Sequence, residues 1–490
     1  MDFNDYLHCD ALELAARVRR REASALEVLD CAIAQMARVQ PQINAICWEE
    51  LDAARATARG LDAAAPGGAP FAGVPLLLKD LGLAARGMRM GHGSRLFGAP
   101  YADADSALAA RLRQAGFNFL ARTTTPELGA NCTTEALAYG GPTRNPWDLS
   151  RSSGGSSGGA AAAVAAGIVP LAHASDGGGS IRIPASCCGL FGLKPSRMRN
   201  PMGPIAGEGW GGLGVEHVVT RSVRDSAAVL DATHGADPGA PYAAPAFAGR
   251  SLDAIARPPQ RLRIGLITAS PSGGAVHGHC LQAVHDAARL CESLGHQVEP
   301  AAWPEAIDYE AFGHAMRLIV ATGSAQAVLA GCAARNIRPS LETLELSIFT
   351  AVDFALRHNA VDYADAIARM HRTGRLLGQM MQDRHDLLLT PTLTEPPAPL
   401  GRHAADRDYV THRSETLRYT AFLPYFNASG QPAMNVPLHW NAENLPIGVQ
   451  FAAPLGDEHV LLQLAAQLEA AQPWRQRLSP LAQAPLAPGG

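Results

Sequence analysis

Two serines of this 490-residue chain stand in glycine runs, Ser156 in GGSSGG and Ser180 in DGGGSIR, 24 positions apart. Glycine has no Cβ and tolerates positive φ, so such runs let backbone N–H groups turn toward a ligand. Successive inward N–H groups form an anion-binding nest. Gly177, Gly178 and Gly179 directly precede Ser180 and therefore read as an oxyanion hole beside a nucleophile. Donors aimed at charge that develops in the transition state contribute roughly 3–4 kcal/mol each. The competing reading of a Gly/Ser run is a flexible linker. Here, however, the first run opens into Ala160–Gly167, a strong helix former. The second opens into the apolar segment Ile181–Leu193. Linkers do not alternate in this way with core elements. Phosphate binding is another use of glycines at a helix start, but neither the dinucleotide nor the P-loop spacing occurs here.

A third reactive candidate is Lys79, which follows Leu76-Leu77-Leu78 and precedes Asp80. Most strand-end lysines are surface cations. A lysine closing a buried apolar strand loses solvation instead, which disfavours the ammonium and lowers its pKa. In its neutral form such a lysine is a general base. Histidine chemistry has less support. None of the 17 histidines lies in H-E-x-x-H or another metal spacing. His173 sits in an apolar run and reads as a satisfied core histidine.

Together these stretches resemble the amidase signature family. The resemblance rests on Gly73–Asp80 (GVPLLLKD), Gly154–Gly159, Asp176–Arg182 and Gly192–Ser196 (GLKPS). It implies a Ser–cis-Ser–Lys triad, with Ser180 as nucleophile, Ser156 relaying its proton across a cis peptide, and Lys79 as base. It implies hydrolysis of a carboxylic amide through an acyl-enzyme, with no cofactor and no metal. It also implies that the side-chain amide of Asn131 contacts the substrate, a turn or cap asparagine being the alternative. Within the family the texture is similar to hydrolases of nylon-type cyclic amides. Gly177 departs from the family pattern, which often has a larger residue there, and implies a looser oxyanion loop. A subunit that releases ammonia from glutamine for a partner and a binding protein with a dead amidase fold stay open as alternatives. Intact Lys79, Ser156 and Ser180 argue against the second.

Those residues must be carried by a large scaffold. Hydrophobic residues make up 47% of the chain and charged ones 18%, the balance of a globular protein. The formal charge of −4 gives no general attraction to nucleic acid or to an anionic membrane. The segment MDFNDYLHCD lacks the basic and apolar regions of a signal peptide. Nine cysteines without a C-x-x-C pair read as reduced thiols of a cytoplasmic protein. The expected partner is a small-molecule amide; nucleic acid and membrane are not expected, and a homodimer stays open.

Periodicity predicts helices over 11–21 and from Ser24, which forms a capping box with Glu27, through Met36. Further helices are expected over 53–64, stopped by Pro66-Gly67-Gly68, and over 103–117. Strands are expected at 44–46, 76–78 and 117–122, with a polar loop to Asp148. The stretch 200–218 shows little periodicity. A helix begins at Thr220, a β–α–β unit spans 262–298, and 305–385 is mostly helical. A strand is expected at 386–390 and a last helix over 457–470, while 422–433 and 445–450 resemble the C-terminal strands of the amidase signature family. The family implies one α/β domain over 1–490, with a mixed twisted central sheet and helices on both faces. Its catalytic region would be 70–225 and its pocket-shaping helical region about 305–385. The bounded expectation is a neutral, hydrophobic linear or cyclic amide as substrate.

Overall fold

Three consecutive leucines make Pro75–Lys79 a strand buried on both faces, which is the signature of a strand deep inside a covered sheet. The computed structural model describes residues 1–65 and 67–483, so Pro66 and the last seven residues lie outside the described part. The strands are β1 (Ile46–Glu49), β2 (Pro75–Lys79), β3 (Asn118–Thr123), β4 (Arg144–Asn145), β5 (Asp148–Ser152), β6 (Leu171–Asp176) and β7 (Phe191–Lys194). They continue with β8 (Val215–Thr220), β9 (Arg263–Leu266), β10 (Gln297–Pro300), β11 (Leu387–Pro391), β12 (Ala433–Trp440) and β13 (Pro446–Ala452). Eleven of them form one mixed sheet in the order β1-β3-β2-β6-β8-β7-β12-β13-β11-β9-β10. β2 runs parallel to β3 and β6, and β6 pairs antiparallel with β8. Helices flank the sheet and close it into a single α/β domain.

Each region of the core has its own helices. Ala25–Ile43 and the wholly buried helix Gly158–Ala165 share a cluster with β2, β3 and β6. Gly278–Ser293 and Glu458–Ala471 cover the β9–β13 end. Tyr309–Ala334 and Ala360–Arg384 form a third cluster with the Phe422–Ala428 segment. Tyr309–Ala334 is long and apolar enough to cross a membrane by composition, yet 56% of its apolar window is buried inside the protein.

Several expectations shift. The Ser24 capping box is present, but its helix runs on to Ile43 and ends at Asn44 in the left-handed conformation (φ 49°). Asn44 is thus a helix cap, a position asparagine tolerates, and the strand starts at Ile46. The segment 422–433 is not a strand throughout. Pro424–Ser429 is a helix, with proline in its first turn and Gly430 at φ +76° closing it, and β12 begins only at Ala433. The aperiodic stretch after Asn200 ends in β8, which a glycine-rich lead-in conceals. The polar loop before Asp148 contains one strand of a small hairpin, β4–β5.

The glycines of the first run are set by packing. A β-carbon on Gly155 would stand 2.7 Å from backbone atoms of Thr133, and one on Gly159 would stand 2.5 Å from the Thr124 nitrogen. Close approach of two backbones, rather than a ligand nest, requires glycine there. Gly159→Ala is therefore expected to destabilise the fold by about 1–3 kcal/mol or more. Gly60→Ala, on an exposed helix position with open space, is expected to stabilise it by about 0.5–1 kcal/mol. Chemical denaturation midpoints of the two variants check both signs.

Candidate active site

β2, between β3 and β6 in the sheet, carries Lys79 with its side chain wholly buried. Its Nζ donates to Ser156 Oγ at 2.7 Å and to Ser175 Oγ at 2.9 Å. Burial draws the lysine pKa down to about 7, while the negative charges of Glu216 and Asp176 push the other way. Near neutral pH a large fraction is therefore the free amine, with a lone pair available beside a serine hydroxyl. The Gly155–Ser156 peptide is cis. The two glycine runs meet directly, since the Ser157 N–H donates to the Ser180 carbonyl at 3.3 Å.

The loop that carries Ser180 is pinned by Asp176. This buried carboxylate accepts from Arg182 Nε and Nη2, both at 2.9 Å, and from Asn427 Nδ2 at 2.8 Å. It also accepts from the N–H groups of Gly179 at 2.7 Å and Ile181 at 3.1 Å. The Arg182 guanidinium overcomes desolvation and holds the Asp176 carboxyl far below the usual range. The expected oxyanion hole is corrected in one respect. The Gly179 amide is taken up by Asp176, whereas those of Gly177, Gly178 and Ser180 make no hydrogen bond to the described residues. Gly179 has φ +130°, and a β-carbon there would lie 2.6 Å from Leu423 Cδ1. At Gly177, the space a side chain would occupy holds the Trp210 ring, 2.8 Å from the β-carbon position. The glycine thus accommodates an indole wall over the loop, which supplies a packing reason for it in place of looseness.

Around Ser156, Ser175 and Ser180 lies a cavity of about 170 Å³. Its apolar wall includes Leu81, Leu128, Met202, Trp210 and Val215, and Glu216 also reaches it. Asn131 does not line it. Both ends of that amide are engaged elsewhere, Nδ2 donating to the His403 carbonyl at 2.7 Å and Oδ1 accepting from the Cys132 N–H at 2.7 Å. The expected substrate contact is therefore replaced by a loop-locking one. Nor does 305–385 line the cavity directly. Tyr309–Ala334 stands one layer back, where a β-carbon on Gly323 would lie 2.4 Å from the Trp210 ring. Glu310 and Arg317 of that helix face a separate groove with Tyr309 and Tyr425.

Sequence reasoning missed Ser175 and Glu216. Ser175 follows His173 by two positions on β6, and both contact Lys79: His173 Nδ1 accepts from the Lys79 backbone N–H at 3.3 Å. Period-two alternation was the available signal. His173 Nε2 bonds Glu216 Oε2 at 2.7 Å, so the ring is satisfied on both nitrogens, as its apolar setting suggests. Among the described residues no group of three His, Cys, Asp or Glu side chains is placed to hold a metal.

A family model described as Amidase matches residues 27–462. The chain belongs to the amidase family. It is 37% identical over 479 residues to 6-aminohexanoate-cyclic-dimer hydrolase of Paenarthrobacter ureafaciens, across 96% of each chain. The solved structure of 6-aminohexanoate cyclic dimer hydrolase complexed with substrate is similar at a TM-score of 0.92 and 36% identity, covering 97% of this chain and 99% of that one. A bacterial aryl acylamidase of the amidase signature enzymes is similar at a TM-score of 0.87 and 26% identity, covering 98% and 99%. This amidase is accordingly an amidohydrolase that acts on carbon–nitrogen bonds other than peptide bonds.

Proposed function

We propose that this amidase hydrolyses apolar amides, linear or cyclic, through an acyl-enzyme on Ser180, with Ser156 and Lys79 as its proton relay. The observation that carries this is the 2.7 Å contact between Ser156 Oγ and a buried Lys79 whose pKa lies near 7. Ser180 Oγ attacks the carbonyl carbon and gives its proton to Ser156, whose own proton passes to neutral Lys79. The oxyanion accepts from the free N–H groups of Gly177, Gly178 and Ser180. As the tetrahedral intermediate collapses, the C–N bond breaks and the relay runs in reverse, protonating the leaving nitrogen. Water then attacks the ester by the same relay and releases the acid. Two similar proteins named above take their names from a cyclic amide and from aryl acylamides, which suits an apolar cavity.

The ammonia-releasing alternative meets an electrostatic obstacle. Glutamine brings an α-carboxylate, and the cavity lining includes no Arg or Lys among the described residues; Lys79 stands behind the serines and is engaged by Ser156 and Ser175. Glu216 offers a partner to glutamine's α-ammonium, yet the α-carboxylate stays unpaired and faces a like charge. An unpaired buried charge costs about 3–5 kcal/mol, a factor of about 10²–10⁴ in kcat/KM. The purified chain alone is therefore expected to hydrolyse an aryl or aliphatic amide at least about 10²-fold more efficiently than glutamine. Steady-state rates on an aryl amide, a cyclic amide dimer and glutamine check this. Dominant glutaminase activity, or activity that needs a second polypeptide, would establish the amidotransferase reading instead.

A further inference from the structure

The hydrolytic relay leaves one charged side chain of the cavity unused. Glu216 on β8 lies directly across from Ser175 on β6 in antiparallel register. Their side chains therefore share a face, with β-carbons about 5 Å apart. The two oxygens of the carboxylate have different surroundings. Oε2 accepts from His173 Nε2 at 2.7 Å. Because His173 Nδ1 accepts from the Lys79 N–H, its Nε2 is the nitrogen that donates to Glu216 Oε2. Oε1 makes no hydrogen bond to the described residues. It lies over Gly82, where a β-carbon would be 3.0 Å from it, and Gly82 itself lines the cavity at φ +77°. The neighbouring ionisable groups are engaged: Asp176 by Arg182, and Lys79 by two serines.

A carboxylate oxygen with no protein partner, at the wall of an otherwise apolar cavity, is a seat for a cationic or N–H donor group. We propose that Glu216 is a specificity residue whose Oε1 binds an ammonium group carried on the acyl chain. This deepens the amide-hydrolase reading above and rests on it. It also fits an uncharged cyclic substrate. Opening a cyclic amide breaks its C–N bond, forms the Ser180 ester and frees an amine that stays attached to the same acyl chain. That amine receives the relay proton on leaving and takes a further proton from water to become an ammonium. A free amine so tethered attacks the ester and recloses the ring. Held on Glu216 as an ammonium, it has no lone pair to attack with, and water completes the hydrolysis.

The test compares two anilides of matched length, 6-aminohexanoyl 4-nitroanilide and heptanoyl 4-nitroanilide. Glu216→Gln keeps an oxygen to accept from His173. Any effect of the lost charge on Lys79 acts on both substrates alike, so the ratio of their kcat/KM values isolates the ammonium contact. That ratio, amino over methyl, is expected to fall about tenfold or more in Glu216→Gln. A second arm needs no variant: hexylammonium is expected to inhibit the unmodified enzyme about tenfold more tightly than 1-hexanol. An unchanged substrate ratio in the variant, or equal inhibition by the two hexyl compounds, overturns the assignment of Glu216 while leaving amide hydrolysis in place. Hydrolysis of neither anilide by the unmodified enzyme overturns the broader reading, and this assignment with it.

Discussion

Ser180→Ala is expected to reduce amide turnover by about 10⁴–10⁶-fold, the scale seen when a nucleophile acting as part of a unit is removed. The fold should survive, because the loop does not depend on the serine hydroxyl. It is held by the Asp176 carboxylate through the Gly179 and Ile181 N–H groups and through Arg182. The variant should therefore melt within a few degrees of the parent and still bind a product acid or a slow substrate. A fluorophosphonate probe should label the parent at Ser180 and leave the variant unlabelled. Labelling of another serine, Ser156 included, would remove Ser180 from the role proposed for it.

What could be read from the sequence follows the distance over which each residue's environment is decided. Lys79 was legible because three leucines of its own strand bury it. The reasons for the glycines were not. Gly155 and Gly159 answer to Thr133 and Thr124, and Gly177 answers to Trp210, 33 positions downstream. A glycine run looks the same whether it binds an anion or lets another backbone come close. Asn131 shows the same limit at longer range, since its amide is held by a carbonyl 272 positions away. Ser175 and the Pro424–Ser429 helix are different. A period-two reading of β6 and the proline and glycine at the two ends of the helix were local signals. The mixed order of the sheet, with β12 and β13 inserted between β7 and β11, has no local signal at all. It was expected only through the family resemblance.

Lys79 is expected to govern the pH dependence. Its pKa falls from 10.5 in the unfolded chain to about 7 in the folded one, through burial that outweighs the attraction of Glu216 and Asp176. The relay requires the amine, so kcat/KM for an amide should rise about tenfold per pH unit below about 7 and level off above it. Stability carries the matching sign. Between about pH 7 and 10.5 the unfolded chain binds a proton at this lysine that the folded chain does not, so stability rises with pH through that window. Lys194 is also buried with a pKa lowered to about 7, its Nζ donating to the Pro195 carbonyl. It adds to the same stability slope, but the activity limb should persist in Lys194→Met and disappear in Lys79→Met. The leaving group separates the two halves of the relay. Lys79→Met should cost about 10²–10⁴-fold on an anilide. It should cost about tenfold less than that on the matching 4-nitrophenyl ester, whose phenolate departs without a proton. Equal losses on anilide and ester, or an acid limb near pH 7 that survives in Lys79→Met, would reduce Lys79 to a structural partner of Ser156.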